Sequence, residues 1–299
     1  MLAGVHFLLT YKCSFECDHC FLYCSPRAEG TFTLEQIDKV FDELVRIGTV
    51  KRVYFEGGEP FLFYPLMVES TRMARNMGFE VGIITNSYWA TTEKDAEIWL
   101  RPLAELGIAD LSLSDDAFHF GDEKASLAQH ALAAAKKLDM PVGVISIEKP
   151  RIEEVIGDKQ ARGEPIIGGT TMFRGRAVEK LMEGLPTRPW QEFTECPHED
   201  LENPSRVHID SYGNVHLCQG LCMGNMWQTA LSELIKTYDY SKHPVCRPLV
   251  TGGPALLASE NGAGPDERFT DACHLCYSLR LRLLDEFPDY LTPRQVYGL

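Results

Sequence analysis

The chain has 299 residues, a formal charge of −14 at neutral pH and 44% hydrophobic residues. That length allows one large α/β unit plus a smaller appendage, and the negative balance argues against a nucleic-acid partner, whose phosphates need Lys and Arg. No apolar run nears the ~18 residues of a membrane span; the opening MLAGVHFLLTYKC has neither a charged n-region nor a small-residue cleavage site, so no membrane partner and a cytoplasmic location are expected.

Strand and helix patterns alternate up to about residue 185. Short apolar, β-branched runs predict strands at Val5–Leu9, Arg52–Phe55, Val81–Thr85, Ile108–Leu113, Val142–Ile147 and Pro165–Phe173, as buried parallel strands read. Amphipathic stretches between them predict helices at Leu34–Ile47, Leu66–Met77, Glu93–Leu106 and Lys124–Leu138; Thr33 with Gln36 fits a capping box at the first. Six βα units in series imply a parallel sheet or incomplete barrel whose ligands sit at the carboxyl ends of strands. Leu185–Trp190 reads as a linker. Beyond it, Ser211-Tyr212-Gly213 between two apolar runs signals a hairpin, helices are expected near Leu231–Tyr238 and Cys273–Phe287, and the Gly-, Ala- and Pro-rich Thr251–Asp266 as a loop.

Ten cysteines fall in two groups: Cys13, Cys17, Cys20 and Cys24, then Cys196, Cys218, Cys222, Cys246, Cys273 and Cys276. In a reducing compartment such clustering points to metal or redox chemistry rather than disulfides. Cys13, Cys17 and Cys20 follow the first strand in a C-x3-C-x2-C spacing. Three thiolates can hold three irons of a cubane 4Fe-4S cluster and leave the fourth iron open. The alternative is a zinc site completed by His19 or Cys24.

This spacing resembles that of the radical S-adenosylmethionine (SAM) superfamily, as does the aromatic Phe21 after Cys20. The resemblance implies that SAM chelates the open iron, that a flavodoxin- or ferredoxin-type donor reduces the cluster, and that a 5′-deoxyadenosyl radical abstracts a substrate hydrogen. Gly57, Gly58, Glu59 and Pro60 after the second strand resemble the segment that contacts the SAM amino group; Glu59 can accept from an ammonium. Thr85, Asn86 and Ser87 after the third strand, and Ser112 and Ser114 in the fourth, stand where relatives place further SAM contacts, although such residues also cap helices. No GxIxGxxE segment is evident at the fifth strand. The implied fold class is α/β, a partial (β/α)6 radical SAM barrel over 1–185 with a small C-terminal α+β extension over 186–299.

That extension resembles the Twitch form of the SPASM domain, through Cys196, the Gly213-x4-Cys218 hairpin and Cys273-x2-Cys276. The resemblance implies a second 4Fe-4S cluster on Cys196, Cys218, Cys273 and Cys276, closed to substrate and suited to electron transfer; Cys222 or Cys246 could replace one ligand, and a zinc ribbon is the rival. The segment Arg174-Gly175-Arg176-Ala177 resembles one that precedes such domains. Asp115, Asp116 and His119 are candidate proton-handling residues, with helix capping and solvation as the alternative, and Tyr88 and Trp89 read as packing residues. Only twelve residues precede Cys13, so no leader-recognition or cobalamin domain is expected there. The combination is most similar to a radical SAM dehydrogenase of aminoglycoside biosynthesis. The expected reaction is oxidation or rearrangement of a small molecule or peptide, with the second cluster accepting an electron. The alternatives are a ribosomal-peptide maturase forming a thioether or carbon–carbon crosslink, a glycyl-radical activase, and a non-catalytic zinc-binding module.

Overall fold

The computed structural model describes residues 1–121, 126–153 and 166–299. Its core is one eight-stranded sheet in the order β11-β10-β9-β1-β2-β3-β4-β5. Strands β1 (Gly4–Thr10), β2 (Arg52–Gly57), β3 (Glu80–Thr85), β4 (Asp110–Ser114) and β5 (Val142–Ile145) are parallel, and β9 (Arg206–Asp210) lies parallel to β1 on its other side. Two antiparallel strands, β10 (Asn214–Cys218) and β11 (Leu221–Asn225), extend that edge. Val5, Val53, Val81 and Val207 are in register and fully buried, as are Phe7, Phe55, Ile83 and Ile209 one pleat on. These rows face the helices: the Phe7 ring meets that of Phe41 on α1 at 5.4 Å. The alternate row, with His6, Glu56, Ile84, Ser114 and His208, faces a cavity.

Helix α1 (Leu34–Ile47) starts at the expected capping box, Thr33 and Gln36 exchanging side-chain bonds with each other's backbone, and stops at left-handed Gly48. Helices α2 (Tyr64–Asn76), α3 (Glu93–Leu106) and α5 (Leu127–Lys137) also match expectation to within a turn, apart from the predicted start of α5 at Lys124, which lies outside the described residues. A short α4 (Ala117–Phe120) follows β4.

Two expectations do not hold. The strand expected at Pro165–Phe173 is reduced to β7 (Ile166–Gly168), paired antiparallel with β6 (Arg151–Glu153) in a separate ribbon; Pro165 is outside the described residues. Past Gly168 the chain reads Gly-Thr-Thr, with no apolar run to continue a strand. The sixth parallel strand is β9, at the opposite edge. The loop expected at Thr251–Asp266 is helical to residue 260, within α8 (Cys246–Glu260). Gly252 and Gly253 leave helical conformation, which is the break that the composition signalled, and Pro254 opens a second helical stretch that buries Ala255, Leu257 and Ala258. The remaining elements are α6 (Arg176–Lys180), β8 (Arg188–Pro189), α7 (Leu231–Thr237), β12 (Arg268–Phe269) and α9 (Ala272–Arg282).

Candidate active site and second cysteine centre

The loop between β1 and α1 carries the first cysteines over the carboxyl ends of the parallel strands, where a cavity of about 560 Å³ opens. Where β1 passes into that loop it packs against Gly57 and Gly58 at the end of β2. Gly58 donates to Thr10 O at 2.7 Å and Glu59 N to Lys12 O at 2.9 Å; a Cβ on Gly58 would stand 2.1 Å from Lys12 O, so only glycine fits. Arg176 holds the loop from the other side. Its guanidinium donates to Cys17 O at 2.8 Å and Cys24 O at 2.9 Å, and its amide donates to Cys20 O at 3.0 Å. Gly175, at φ +61°, lies so close that a Cβ would be 2.4 Å from Phe21 Cα.

Of the residues singled out in the sequence, Cys13, Cys17, Cys20, Phe21, Gly57, Gly58, Thr85, Asn86, Ser114 and His119 line this cavity. Five do not. Glu59 is fully buried, its carboxylate taken by Thr85 Oγ1 (2.8 Å), Asn86 N (2.7 Å) and Phe61 N (3.0 Å). It props the two loops that form the wall rather than reaching the space itself, and Pro60 is buried behind it. Ser87 is buried, at φ +62°. Ser112 is bonded to Asp110 at 2.9 Å. Asp115 is bonded to Gln129 of α5, because strand alternation turns Ser114 and Asp116 to the cavity and Asp115 away. Asp116 instead accepts from His119 Nδ1 at 2.8 Å and caps α4.

Burial pushes the Cys13 thiol up to about 12 and raises Cys17, each reinforced by the other thiols. Cys20 falls to about 6, chiefly through the thiol of Cys24 and despite burial. Burial also raises Glu59 to about 7 and lowers His19 to about 4. Buried thiols crowded in this way ionise only beside a cation. Asn86 Nδ2 and Phe15 N stand 3.4 and 3.5 Å from Cys13 Sγ, the kind of hydrogen bonds that tune cluster sulfurs.

A second, small cavity is lined by Cys196, Cys218, Cys273 and Cys276, together with Arg174 and Arg280. Arg174 Nη1 donates to Cys218 Sγ at 2.9 Å and its guanidinium lies over the Phe21 ring at 4.9 Å, so it touches both cysteine regions. Arg280 is 1% exposed. Two buried guanidiniums match the double negative charge of a four-thiolate centre. Cys222 lies elsewhere, 3.4 Å from His216 Nδ1 and 3.3 Å from Thr292 O; Cys246 is buried at the start of α8. Two sulfurs on one zinc, each at ~2.3 Å, can be at most ~4.6 Å apart. Among the described residues, the groups of three ligand atoms within 4.8 Å of one another contain no cysteine. No three of these sulfurs therefore stand as close together as the ligands of one zinc ion would.

Sequence reasoning missed His6, Glu56 and His208 at the cavity floor, and Arg206 and Glu199 at its side. The signal for the first three was a polar residue at the inward position of an otherwise apolar strand.

A loop of three spaced cysteines thus lies over a parallel α/β sheet, facing a cavity at the strands' carboxyl ends. Residues 7–146, just under half of the chain, match the family model described as the Radical SAM superfamily. A radical SAM domain implies a 4Fe-4S cluster and SAM as cofactors. The chain is 30% identical over 191 residues to the tungsten-containing aldehyde ferredoxin oxidoreductase cofactor-modifying protein of Pyrococcus furiosus, covering 61% of this chain and 52% of that one. It is 43% identical over 127 residues to the antilisterial bacteriocin subtilosin biosynthesis protein AlbA of Bacillus subtilis, covering 41% and 28%. The chain thus spans about half or less of the length of these relatives. The crystal structure of BtrN in complex with AdoMet and 2-DOIA superposes with a TM-score of 0.55 at 14% identity, over 90% of this chain and 93% of that one, a likeness of fold. Among the described residues no helix is long and apolar enough to cross a membrane.

Proposed function

We propose that the protein is a cytoplasmic radical SAM enzyme that abstracts a hydrogen from a small molecule or peptide bound in the 560 Å³ cavity. The observation that carries this reading is the convergence of Cys13, Cys17 and Cys20 on one wall of that cavity. When bound there, a reduced cluster with SAM supplies the 5′-deoxyadenosyl radical. The protein's own part is to hold and shield. Arg176 and Gly175 fix the cysteine loop, and Glu59 fixes the backbone at Asn86 and the Thr85 hydroxyl. Ser114 and the Thr85–Asn86 edge offer polar contacts to SAM, and Phe21 covers the cluster side. His119, oriented by Asp116, is the group placed to take a proton from a substrate.

Cys196, Cys218, Cys273 and Cys276 are proposed to hold a second 4Fe-4S cluster that accepts an electron from the substrate, with Arg174 and Arg280 offsetting its charge. A flavodoxin- or ferredoxin-type protein is the proposed donor to the first cluster. The relation to AlbA, whose name describes bacteriocin biosynthesis, favours peptide maturation as a second reading.

The test is iron and zinc content, absorption spectrum and product release on anaerobically purified protein given dithionite and SAM. About eight irons and 5′-deoxyadenosine support both centres. A Cys13→Ala, Cys17→Ala, Cys20→Ala triple variant is expected to release none, and continued release would sink the site. Cys273→Ala with Cys276→Ala is expected to remove about half the iron; unchanged iron would mean that the second centre is misplaced. A colourless protein holding only zinc after reconstitution would refute the whole reading.

A further inference from the structure

The inward rows of β1, β2 and β9 bring together a group at the cavity floor that hydrogen abstraction does not call on. His6 and His208 are direct partners across the β1–β9 pair, and Glu56 stands two residues beyond Tyr54, the partner of His6 on β2. His6 Nδ1 lies 3.2 Å and His208 Nε2 3.1 Å from one carboxylate oxygen, Glu56 Oε1. The three ligand atoms are within 4.8 Å of one another. Nitrogen and oxygen ligands around one ion at ~2.1 Å are ~3.0 Å apart at octahedral angles and ~3.4 Å at tetrahedral ones. The two contacts fall in that interval.

His6 Nδ1 is buried and has no hydrogen-bond partner, although it stands beside Oε1. Two imidazole nitrogens drawn to within 3.2 Å of one carboxylate oxygen form a compact donor set of the kind that holds a cation. His208 is 5% exposed in its side chain, so the group is built into the floor and not into a mobile surface. Arg206, the nearby cation, is engaged by Glu199 at 3.1 Å.

We propose that His6, Glu56 and His208 bind one divalent first-row transition-metal ion, with its remaining coordination positions turned to the cavity. Two imidazoles and a carboxylate suit Mn²⁺, Fe²⁺, Co²⁺ or Zn²⁺ better than Ca²⁺ or Mg²⁺, which favour all-oxygen shells. Three protein ligands with open positions are the pattern of an ion that also takes an exogenous oxygen or nitrogen donor. The other compact group, His19, Asp116 and His119, is not proposed, because the Asp116 carboxylate is already taken by Phe118 N, His119 N, His119 Nδ1 and Ile147 N.

The test uses iron-loaded protein with its clusters oxidised and silent in electron paramagnetic resonance, so that the thiols are occupied and cannot bind the probe. Titration with Mn²⁺ is expected to remove the free-ion signal to about one equivalent per chain, with Zn²⁺ displacing it. Spin-echo modulation of the bound ion is expected to show imidazole nitrogen. Glu56→Gln and His208→Gln are each expected to weaken binding by about tenfold or more at unchanged iron content. A free-ion signal undiminished by the wild-type protein below one equivalent of Mn²⁺, with protein at high micromolar concentration, overturns the proposal. So does bound Mn²⁺ without nitrogen coupling, a readout that needs no variant, and so does equal binding by wild type and both variants.

Discussion

Gly175→Ala tests how the cysteine loop is held. Gly175 has φ +61° and ψ −141°, a region open in practice only to glycine, at a cost of about 1–3 kcal/mol for any other residue. The added Cβ would meet Phe21 Cα at 2.4 Å, Cys20 O at 2.7 Å and Phe21 C at 2.8 Å. All three are backbone atoms, so no rotamer change can relieve the contact, and overpacking adds about 1–3 kcal/mol. The sum, about 2–6 kcal/mol, is a large part of the ~5–15 kcal/mol that stabilises a typical domain. The displacement would also pull Arg176 from the carbonyls of Cys17 and Cys24, so iron retention is expected to fall with stability. Gly184→Ala is the control: its φ is +75° but nothing lies within 4 Å of the new Cβ, leaving ~1–2 kcal/mol of backbone strain alone. Equilibrium urea unfolding and iron per chain, measured on both variants anaerobically, separate the two contributions. Equal destabilisation with full iron in both would refute the idea that this close approach sets the loop.

Three further outcomes are expected. Glu43 on α1 accepts from Ser232 N (2.9 Å), Ser232 Oγ (2.7 Å) and Arg46 (2.7 Å); burial opposes its ionisation, but these partners hold its pKa below the usual value. Its contribution is therefore complete above the unfolded value of ~4.3 and lost as pH falls through the folded one, so Glu43→Gln is expected to cost about 1–3 kcal/mol at pH 7, with the gap to wild type closing in acid unfolding series. Glu59→Gln puts an amide N–H₂ in place of one carboxylate oxygen, facing at least one of the three donors, and is expected to cost about 1–3 kcal/mol and to weaken SAM binding in equilibrium dialysis; unchanged affinity would mean that the Thr85–Asn86 edge does not touch SAM. Arg174→Met removes a positive charge beside Cys218; at ~5 Å and an effective dielectric of ~20 this is ~3 kcal/mol, a shift of the second cluster's potential on the order of 100 mV to the negative in a spectroelectrochemical titration.

Local signals were readable in the sequence and long-range ones were not. Thr33 and Gln36 cap α1 within four residues of each other, and Cys13, Cys17 and Cys20 share one loop, so spacing alone described them. The clamp of that loop is Arg176, over 150 residues away, and nothing in Arg-Gly-Arg-Ala itself says which carbonyls it will reach. Asp210, just before the predicted hairpin turn, likewise accepts from Tyr11 at 2.9 Å, tying the first strand's end to the turn between β9 and β10. Asp115 and Asp116 stand equal in the sequence, which fixes no strand parity at the end of β4, and Glu59 reads as a ligand-facing acid because two of its three internal donors, Thr85 and Asn86, come from the next strand's end. Pro254 and Gly253 read as loop formers, but the same residues start and break a helix when a buried face follows.

The placement of β9 beside β1 has a consequence for how the chain is made. Until residues 206–210 have been synthesised, β1 has a bare edge along its whole length, the kind of edge that recruits other strands. At ~5–20 residues per second the ribosome needs on the order of 10–40 s to cover that interval. The last parallel pairing joins segments some two hundred positions apart, a costly loop closure that comes late in folding. A fragment ending near residue 185 would keep every first-group cysteine and yet lack His208, the β9 edge and the far wall of the cavity. Such a fragment is expected to aggregate, and nascent chains stalled at that length would depend on chaperones to stay soluble.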